Sequence, residues 1–345
     1  MSHRTSGVLS SRLVRFATVT LSVAAIALGA GCEKTPPATG GSPPKTGEAA
    51  RKPLTVGFAQ IGAESTWRTA NTDSIKGEAD KRGVQLKFTD AQQKQENQIK
   101  ALHTFIAQKV DVIVFSPVVT TGWEPVLREA KAANIPVVIC DRAVDTKDES
   151  LYAAFIGFDC TEQGRAAARW LIEKSGGKAG IVELQGTPGA EPAIERGKGF
   201  AEVLAGDPKA KDLKVLRSQT GDFNRAKGRE VMEAFLKSPI GPQITAVFAH
   251  NDDMALGAIQ AIEAAGKKPG TDILIVSVDA VRDAFEAMKQ GKLNCTVECS
   301  PLIGPVVFDT VEKVARGEAV QKRTLIKPEV FPQETAEKVL PTRKY

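Results

Sequence analysis

Histidine is scarce in this 345-residue chain, and the three that occur, His3, His103 and His250, do not cluster. Cysteine is hardly commoner, with five residues and no CxxC spacing. A zinc site therefore finds no support, since structural zinc takes four closely spaced thiolate or imidazole ligands. No G-x-S-x-G segment, phosphate-binding loop or other metal-ligating spacing is present, so no cofactor and no metal is expected. Long runs of one charge are also missing. The 46 lysines and arginines are interspersed with 41 acids, and a net charge of +5 is modest for this length. Nothing in that balance calls for nucleic acid. The apolar run near the N-terminus, Ala17 to Ala30, is too short and too poorly flanked to span a membrane.

What is present is ordinary globular composition, 42% hydrophobic and 25% charged. It suffices for two domains of roughly 130 to 150 residues each. Arg4, Arg12 and Arg15 precede the apolar run, which ends in "LGAGC". That pattern suits a secretory signal, and its end resembles the lipobox of bacterial lipoproteins, with Cys32 as the lipidated first residue. Gly29 stands where that motif usually has leucine, and Leu28 lies one place further away. A plain signal peptide cut nearby, or an untouched leader, is the alternative. The following "EKTPPATGGSPPKTGEAARKP" has almost nothing to bury and reads as a flexible tether. The working division is a leader over 1–32, a tether over 33–53, and an anchored globular body at the periplasmic or extracytoplasmic face. Disulfides persist outside the cytoplasm, but Cys140, Cys160, Cys295 and Cys299 read as buried free thiols, with one bridge among them as the alternative. Cys295 and Cys299 are too far apart along an extended segment to bridge each other easily.

From Leu54 onward apolar runs alternate with helical periodicity. "LTVGFAQ", "VQLKFTD", "VDVIVFSP", "IPVVICD" and "YAAFIGFD" are strand candidates. Between them lie helical stretches, one of which places Ile99, Leu102 and Ile106 on an apolar stripe. The pattern then repeats with "AGIVELQG", "KVLRSQTG", "ITAVFAHND", "ILIVSVDA" and "LNCTVECS". Alternation of this kind means βαβ units and parallel sheets. The expected fold is α/β, with two doubly wound, Rossmann-like lobes enclosing a cleft.

In open parallel sheets ligands bind beyond the carboxyl ends of the strands. Those ends carry Glu64, Ser65, Trp67 and Arg68 after the first strand and Asp141-Arg142 after the fourth. In the second half they carry Arg196, Asp222, Phe223, Asn251, Asp279 and Glu298. Carboxylates accept from neighbouring hydroxyls, guanidinium forks donate to their lone pairs, and aromatic rings cover apolar C–H faces. The mixture suits a polyhydroxylated neutral ligand. Adjacent Asp141 and Arg142 are expected to compensate each other where burial makes charge costly. Competing readings are a surface ion pair for Asp141-Arg142, core packing for Trp67, and helix capping for Asn251 and, as the favoured role, for Asp252. His250 reads as a satisfied, partly buried residue.

"TVGFAQIGAESTWR", "FTDAQQKQENQIKAL", "IPVVICDR", "RSQTGDFNRAKGREVME" and "AHNDDMALGAIQAI" together resemble the periplasmic sugar-binding proteins of bacterial ABC transporters, of the ribose- and galactose-binding type. The galactofuranose-binding subgroup resembles the chain best, from about Leu54 to the end. The resemblance implies a periplasmic binding protein type I fold with a three-strand hinge. One lobe would be 54–157 plus 299–328 and the other 158–298 plus 329–345. It implies no enzymatic activity. Implied ligand contacts are Asp141, Arg142, Arg196, Asn251, Asp279 and the hinge residue Glu298, where ribose binders carry glutamine, with Trp67, Arg68 and Phe223 beside them. Expected partners are a monosaccharide, permease subunits and, through Cys32, a membrane; the chain is expected to be a monomer. A sensor lipoprotein serving a chemoreceptor or kinase would share the site, and a glycoside-processing enzyme is the more distant rival.

Overall fold

The computed structural model describes residues 52–345; the leader, Cys32 and nearly all of the tether lie outside the described residues. In the first half β1 (Thr55–Gln60), α1 (Thr66–Lys81), β2 (Gln85–Asp90), α2 (Gln95–Ala107), β3 (Val112–Phe115), α3 (Glu124–Ala132), β4 (Val137–Asp141) and β5 (Ala154–Phe158) alternate. The second half runs α4 (Cys160–Lys174), β6 (Lys178–Gln185), α5 (Glu191–Gly206), β7 (Asp212–Thr220), α6 (Arg225–Lys237), β8 (Ala246–Ala249), α7 (Asp252–Ala264), β9 (Leu274–Asp279), α8 (Arg282–Lys289) and β10 (Cys295–Glu298). It closes with α9 (Gly304–Ala315), β11 (Arg323–Ile326), β12 (Val330–Pro332) and α10 (Ala336–Val339).

The strands form two six-stranded sheets, in the orders β11-β5-β4-β3-β1-β2 and β12-β10-β9-β8-β6-β7. All pairings are parallel except that of β12 with β10. Fully buried strands such as β1, β3, β4 and β8 read as continuous apolar runs because helices cover both faces of each sheet. The two orders correspond place for place. Thus β4 and β9 occupy the same position, as do β1 and β6, and equivalent loops face each other across the cleft.

The chain passes between the sheets three times: from β5 to α4, from β10 to α9, and from β11 to β12. These short crossings are tied at Glu298. Its N–H donates to Glu329 O at 2.7 Å, and its carbonyl accepts from Gln163 Nε2 at 3.1 Å. After the second crossing α9 packs back on α1.

Local capping explains where the cleft-facing helices start. Ser65 caps α1, Asn224 caps α6 and Asn251 caps α7, each accepting from the N–H three residues on. Helix α7 therefore begins at Asp252, and Asp252 is not the cap. Its buried carboxyl accepts from Val281 N and Thr296 Oγ1, both at 2.8 Å, and from Ser277 Oγ, tying the tops of β9 and β10 together. Burial still drives its pKa up to about 7 against those donors. The packing face of α2 also differs from the apolar stripe. Gln98, Ala101, Leu102 and Phe105 are buried, while Ile99 and Ile106 are only half-buried. Gln98 belongs to that face because its amide donates to Ala59 O and Ser116 O and accepts from Val118 N. The four described cysteines are free and buried.

Candidate binding site

Two strand-terminal aspartates face the cleft from equivalent positions, Asp141 ending β4 and Asp279 ending β9. Both have left-handed backbones, φ 64° and 127°, in a region that β-strand residues avoid. Such strain collects where surrounding contacts over-determine a functional geometry. Asp141 Oδ2 accepts from Ser116 Oγ and Arg68 Nη1, each at 2.7 Å. Arg68, in the first turn of α1, also donates from Nε to Glu64 Oε1 at 3.1 Å. Asp141 is thus hydrogen-bonded to Arg68, not to its sequence neighbour Arg142. The reason is directional: Asp141 and Arg142 are successive residues whose side chains diverge. Arg142 Nη1 donates to Val118 O at 3.0 Å, and its guanidinium lies 5.1 Å from the Phe223 ring centre.

Burial opposes every one of these charges, and the partners decide the outcome. Around Arg68, Asp141 and Glu64 outweigh burial and hold the guanidinium more firmly protonated than usual. Burial would raise Asp141, but Arg68, Arg142 and the Ser116 hydroxyl bring it below the usual carboxylate range. Arg142 is lowered by burial and then by the Arg68 charge. Asp279 lies well above its ordinary value because burial outweighs Arg196, 3.8 Å away. Two buried polar atoms here, Glu64 Oε2 and Arg142 Nε, have no hydrogen-bond partner among the described residues. Groups of that kind are rare unless something else satisfies them.

The opposite wall comes from the second half of the chain. Arg196 on α5 donates from Nε to Gln163 Oε1 at 2.9 Å and from Nη1 to His250 O. Gly164 and Gly199 allow this approach of α5 to α4, since a Cβ on either would lie 2.0 Å from a backbone oxygen of the other helix. Asn251 caps α7 through Oδ1, at 3.0 Å from Met254 N, and donates from Nδ2 to Phe223 O at 3.1 Å. Capping and lining are thus combined in one side chain. The Phe223 ring sits over Gly186, where a Cβ would fall 1.9 Å from it. His250 is wholly buried, pairs with Glu183 at 2.9 Å, and has its pKa lowered by burial.

These groups surround a small cavity of about 20 Å³. Its walls include Glu64, Ser65, Trp67, Arg68, Asp141, Arg142, Arg196, Phe223, Asn251 and Asp279. Asp222 and Glu298 are not among them. Asp222 accepts from Thr187 Oγ1 at 2.7 Å and from Lys227 Nζ at 2.5 Å. Glu298 turns its carboxylate to Arg343 Nη1, at 2.5 Å, and to the Tyr345 hydroxyl, at 3.2 Å. Trp67 is both wall and core: its indole N–H donates to Cys299 O and its ring meets the Phe158 edge. Pro192 and Cys299 also line the cavity. Neither had a chemical signal in the sequence, being apolar wall residues placed by the first turn of α5 and by the second crossing.

Residues 56–319 match a family profile described as "Periplasmic binding protein domain". The chain belongs to the periplasmic binding protein family. This periplasmic binding protein is 51% identical to the galactofuranose-binding protein YtfQ of Escherichia coli over 295 residues, 85% of this chain and 92% of that protein. Among solved structures it is similar to a Mycobacterium smegmatis protein in complex with β-D-fucofuranose, at 56% identity and TM-score 0.81, covering 85% of this chain and 95% of that one. It is likewise similar to the periplasmic component of the arabinose ABC transporter from Shewanella sp. ANA-3, bound to α- and β-L-arabinofuranose, at 53% identity and TM-score 0.81, covering 84% and 96%. The Escherichia coli and Shewanella relatives are named as binding proteins.

Proposed function

We propose that the protein captures a monosaccharide in its furanose form, galactofuranose or a related sugar, by closing its two lobes, and delivers it to the permease of an ABC importer. The observation that carries this reading is the charge composition of the cavity. Three guanidinium groups, Arg68, Arg142 and Arg196, stand with three carboxyl groups, Glu64, Asp141 and Asp279, beside two aromatic side chains, Trp67 and Phe223. An anion would demand a surplus of donors. A neutral polyol needs both acceptors and donors in balance, and the unpartnered Glu64 Oε2 and Arg142 Nε supply one of each. The furanose preference rests on the relatives, two of which are structures with bound furanoses.

Residues 54–157 with 299–328, and 158–298 with 329–345, would move as two bodies about the three crossings, the ligand shifting the population to the closed form. The leader and Cys32 would anchor a monomer at the extracytoplasmic face. Mixing protein in excess with equilibrated D-galactose in a calorimeter tests the ring-form claim. Capture of the furanose fraction should give a fast heat, followed by a slow phase that does not depend on protein concentration because mutarotation limits it. One fast phase equivalent to all the galactose would mean pyranose binding. No heat with galactose, arabinose, fructose or ribose would reject a sugar ligand of this kind.

A further inference from the structure

The N-terminus of α1 is completed from the other lobe. The first helical residue, Thr66, has an N–H with no partner inside its own helix, and the first turn of α1 carries no acidic residue. The partner is Asp253 on α7, 187 positions away, whose Oδ2 accepts from Thr66 N at 2.8 Å. Its Oδ1 lies 3.4 Å from Thr66 Oγ1. Asp253 is nearly buried, at 4% exposure. It is held ready for that contact by its own lobe: Arg225 Nε donates to Oδ1 at 2.9 Å, and Arg225 Nη2 donates to Asp283 at 2.9 Å. A carboxylate at a helix N-terminus meets both the free N–H groups and the positive end of the helix dipole. This one can do so only while the lobes are together. Two weaker links span the same gap, Thr120 N to Gly189 O at 2.9 Å and Asn224 Nδ2 to Glu64 O at 3.5 Å.

We propose that Asp253 is a closure latch, a positioning residue that slows ligand release without selecting the ligand. Asp253 does not line the cavity, yet the turn it caps carries Arg68, which holds Asp141 and Glu64 inside it. Closing the latch therefore fixes the same turn that presents the ligand's partners. Opening exchanges a charge-assisted bond between the buried Asp253 carboxylate and the exposed start of α1 for hydration, a loss felt in the dissociation step. The inference rests on the sugar-binding reading above.

Its test needs a variant that removes the latch and nothing else. Thr66→Pro removes the N–H at a position that tolerates proline, after an already extended Ser65, at φ −145° and ψ 159°. Because its ring Cδ falls toward Asp253 Oδ2, 2.8 Å from the nitrogen, Asp253→Ala, which leaves room for the ring, is the companion variant that separates a lost bond from overlap. The full-length exported protein would be followed by stopped-flow fluorescence with D-galactose, L-arabinose and D-ribose as probes. Thr66→Pro and Asp253→Ala should each speed release about tenfold, the scale of a hydrogen bond to a charged group. Association rates and the ratio of affinities among the three sugars should stay as in the parent. The double variant should release no faster than either single one, because both remove the same bond. Parental release rates in Thr66→Pro, with an unchanged melting temperature, would overturn the latch. So would a change in the sugar ratios, which would make Asp253 a specificity residue. If the parent protein ignores all three sugars, the function reading has failed instead. Spin labels placed on the two lobes then decide the latch alone: a reduced closed fraction in Thr66→Pro supports it, and distance distributions identical to the parent's refute it.

Discussion

At the scale of single residues, the site divides its arginines by task. Arg68 neutralises two buried carboxylates and is part of the fold as much as of the site, whereas Arg142 leaves a buried donor unused. Arg68→Ala should therefore destabilise the protein by about 3–5 kcal/mol, the cost of stranding buried charge, as read from urea unfolding. Arg142→Ala should cost far less stability but at least tenfold in sugar affinity by calorimetry, since it removes a cavity-wall guanidinium with an unused buried donor. Arg142→Lys should not restore it, because a point charge cannot replace the fork. An Arg68→Ala variant as stable as the parent would show that Asp141 and Glu64 do not depend on it. Gly186→Ala makes a second case: its Cβ would overlap the Phe223 ring, so strain on the order of 1–3 kcal/mol should appear as lost stability or a displaced ring and weaker binding. The charged groups at strand ends were legible because a buried apolar strand that ends in Asp-Arg must place those charges somewhere polar. Their pairing was not. Arg68 reaches Asp141 across 73 residues, and Glu298 turns from the cavity to Arg343, 45 residues on, partners that only the folded chain brings near, while Asp222 pairs locally with Lys227.

At the scale of elements, the alternation of apolar runs with helical stretches gave the two sheets, because each buried strand is a nearly continuous hydrophobic word. The short strands β11 and β12 carry no such signal: they are only partly buried edge segments, recognisable just as a crossing. The C-terminal tail was equally silent, yet it braces the hinge. Arg343 donates to Glu298 and lies 4.8 Å from the Phe285 ring centre, 4.4 Å from that of Phe331 and 5.8 Å from that of Tyr345. Tyr345 O accepts from Arg282 N at 2.6 Å, fastening the last residue to α8. An arginine held by one carboxylate and three aromatic faces contributes through both charge and π contact. Arg343→Ala should lower stability by about 2 kcal/mol, seen as a lower midpoint in thermal unfolding followed by circular dichroism. Glu298→Gln, which keeps the shape and removes the charge, should fall between parent and Arg343→Ala. Equal midpoints for all three would mean that the tail does not brace the second crossing.

At the scale of the whole molecule, the buried carboxyls set how stability follows pH, and they pull in opposite directions. Asp141 is lowered by Arg68 and Arg142, so the stability it contributes is present above the ordinary aspartate range and is lost as pH falls through and below it. Asp252, raised by burial to about 7, behaves in reverse. Between its ordinary value of about 4 and 7 the folded protein keeps a proton that the unfolded chain has released. Stability is then fully present at the acid end and declines until pH passes the folded value, by roughly 1.4 kcal/mol for each unit between the two. Asp279, also raised by burial, adds to that decline. The protein should be most stable at mildly acid pH, with urea midpoints falling from about pH 5 to pH 8. Asp252→Asn removes the titration while keeping an amide that can satisfy Ser277 and Thr296, so the descending limb should flatten without losing the acid-side fall that Asp141 produces. A midpoint rising from pH 5 to pH 8 in the parent would mean that the three donors around Asp252 hold it ionised, and that burial has lost at this position to hydrogen bonding.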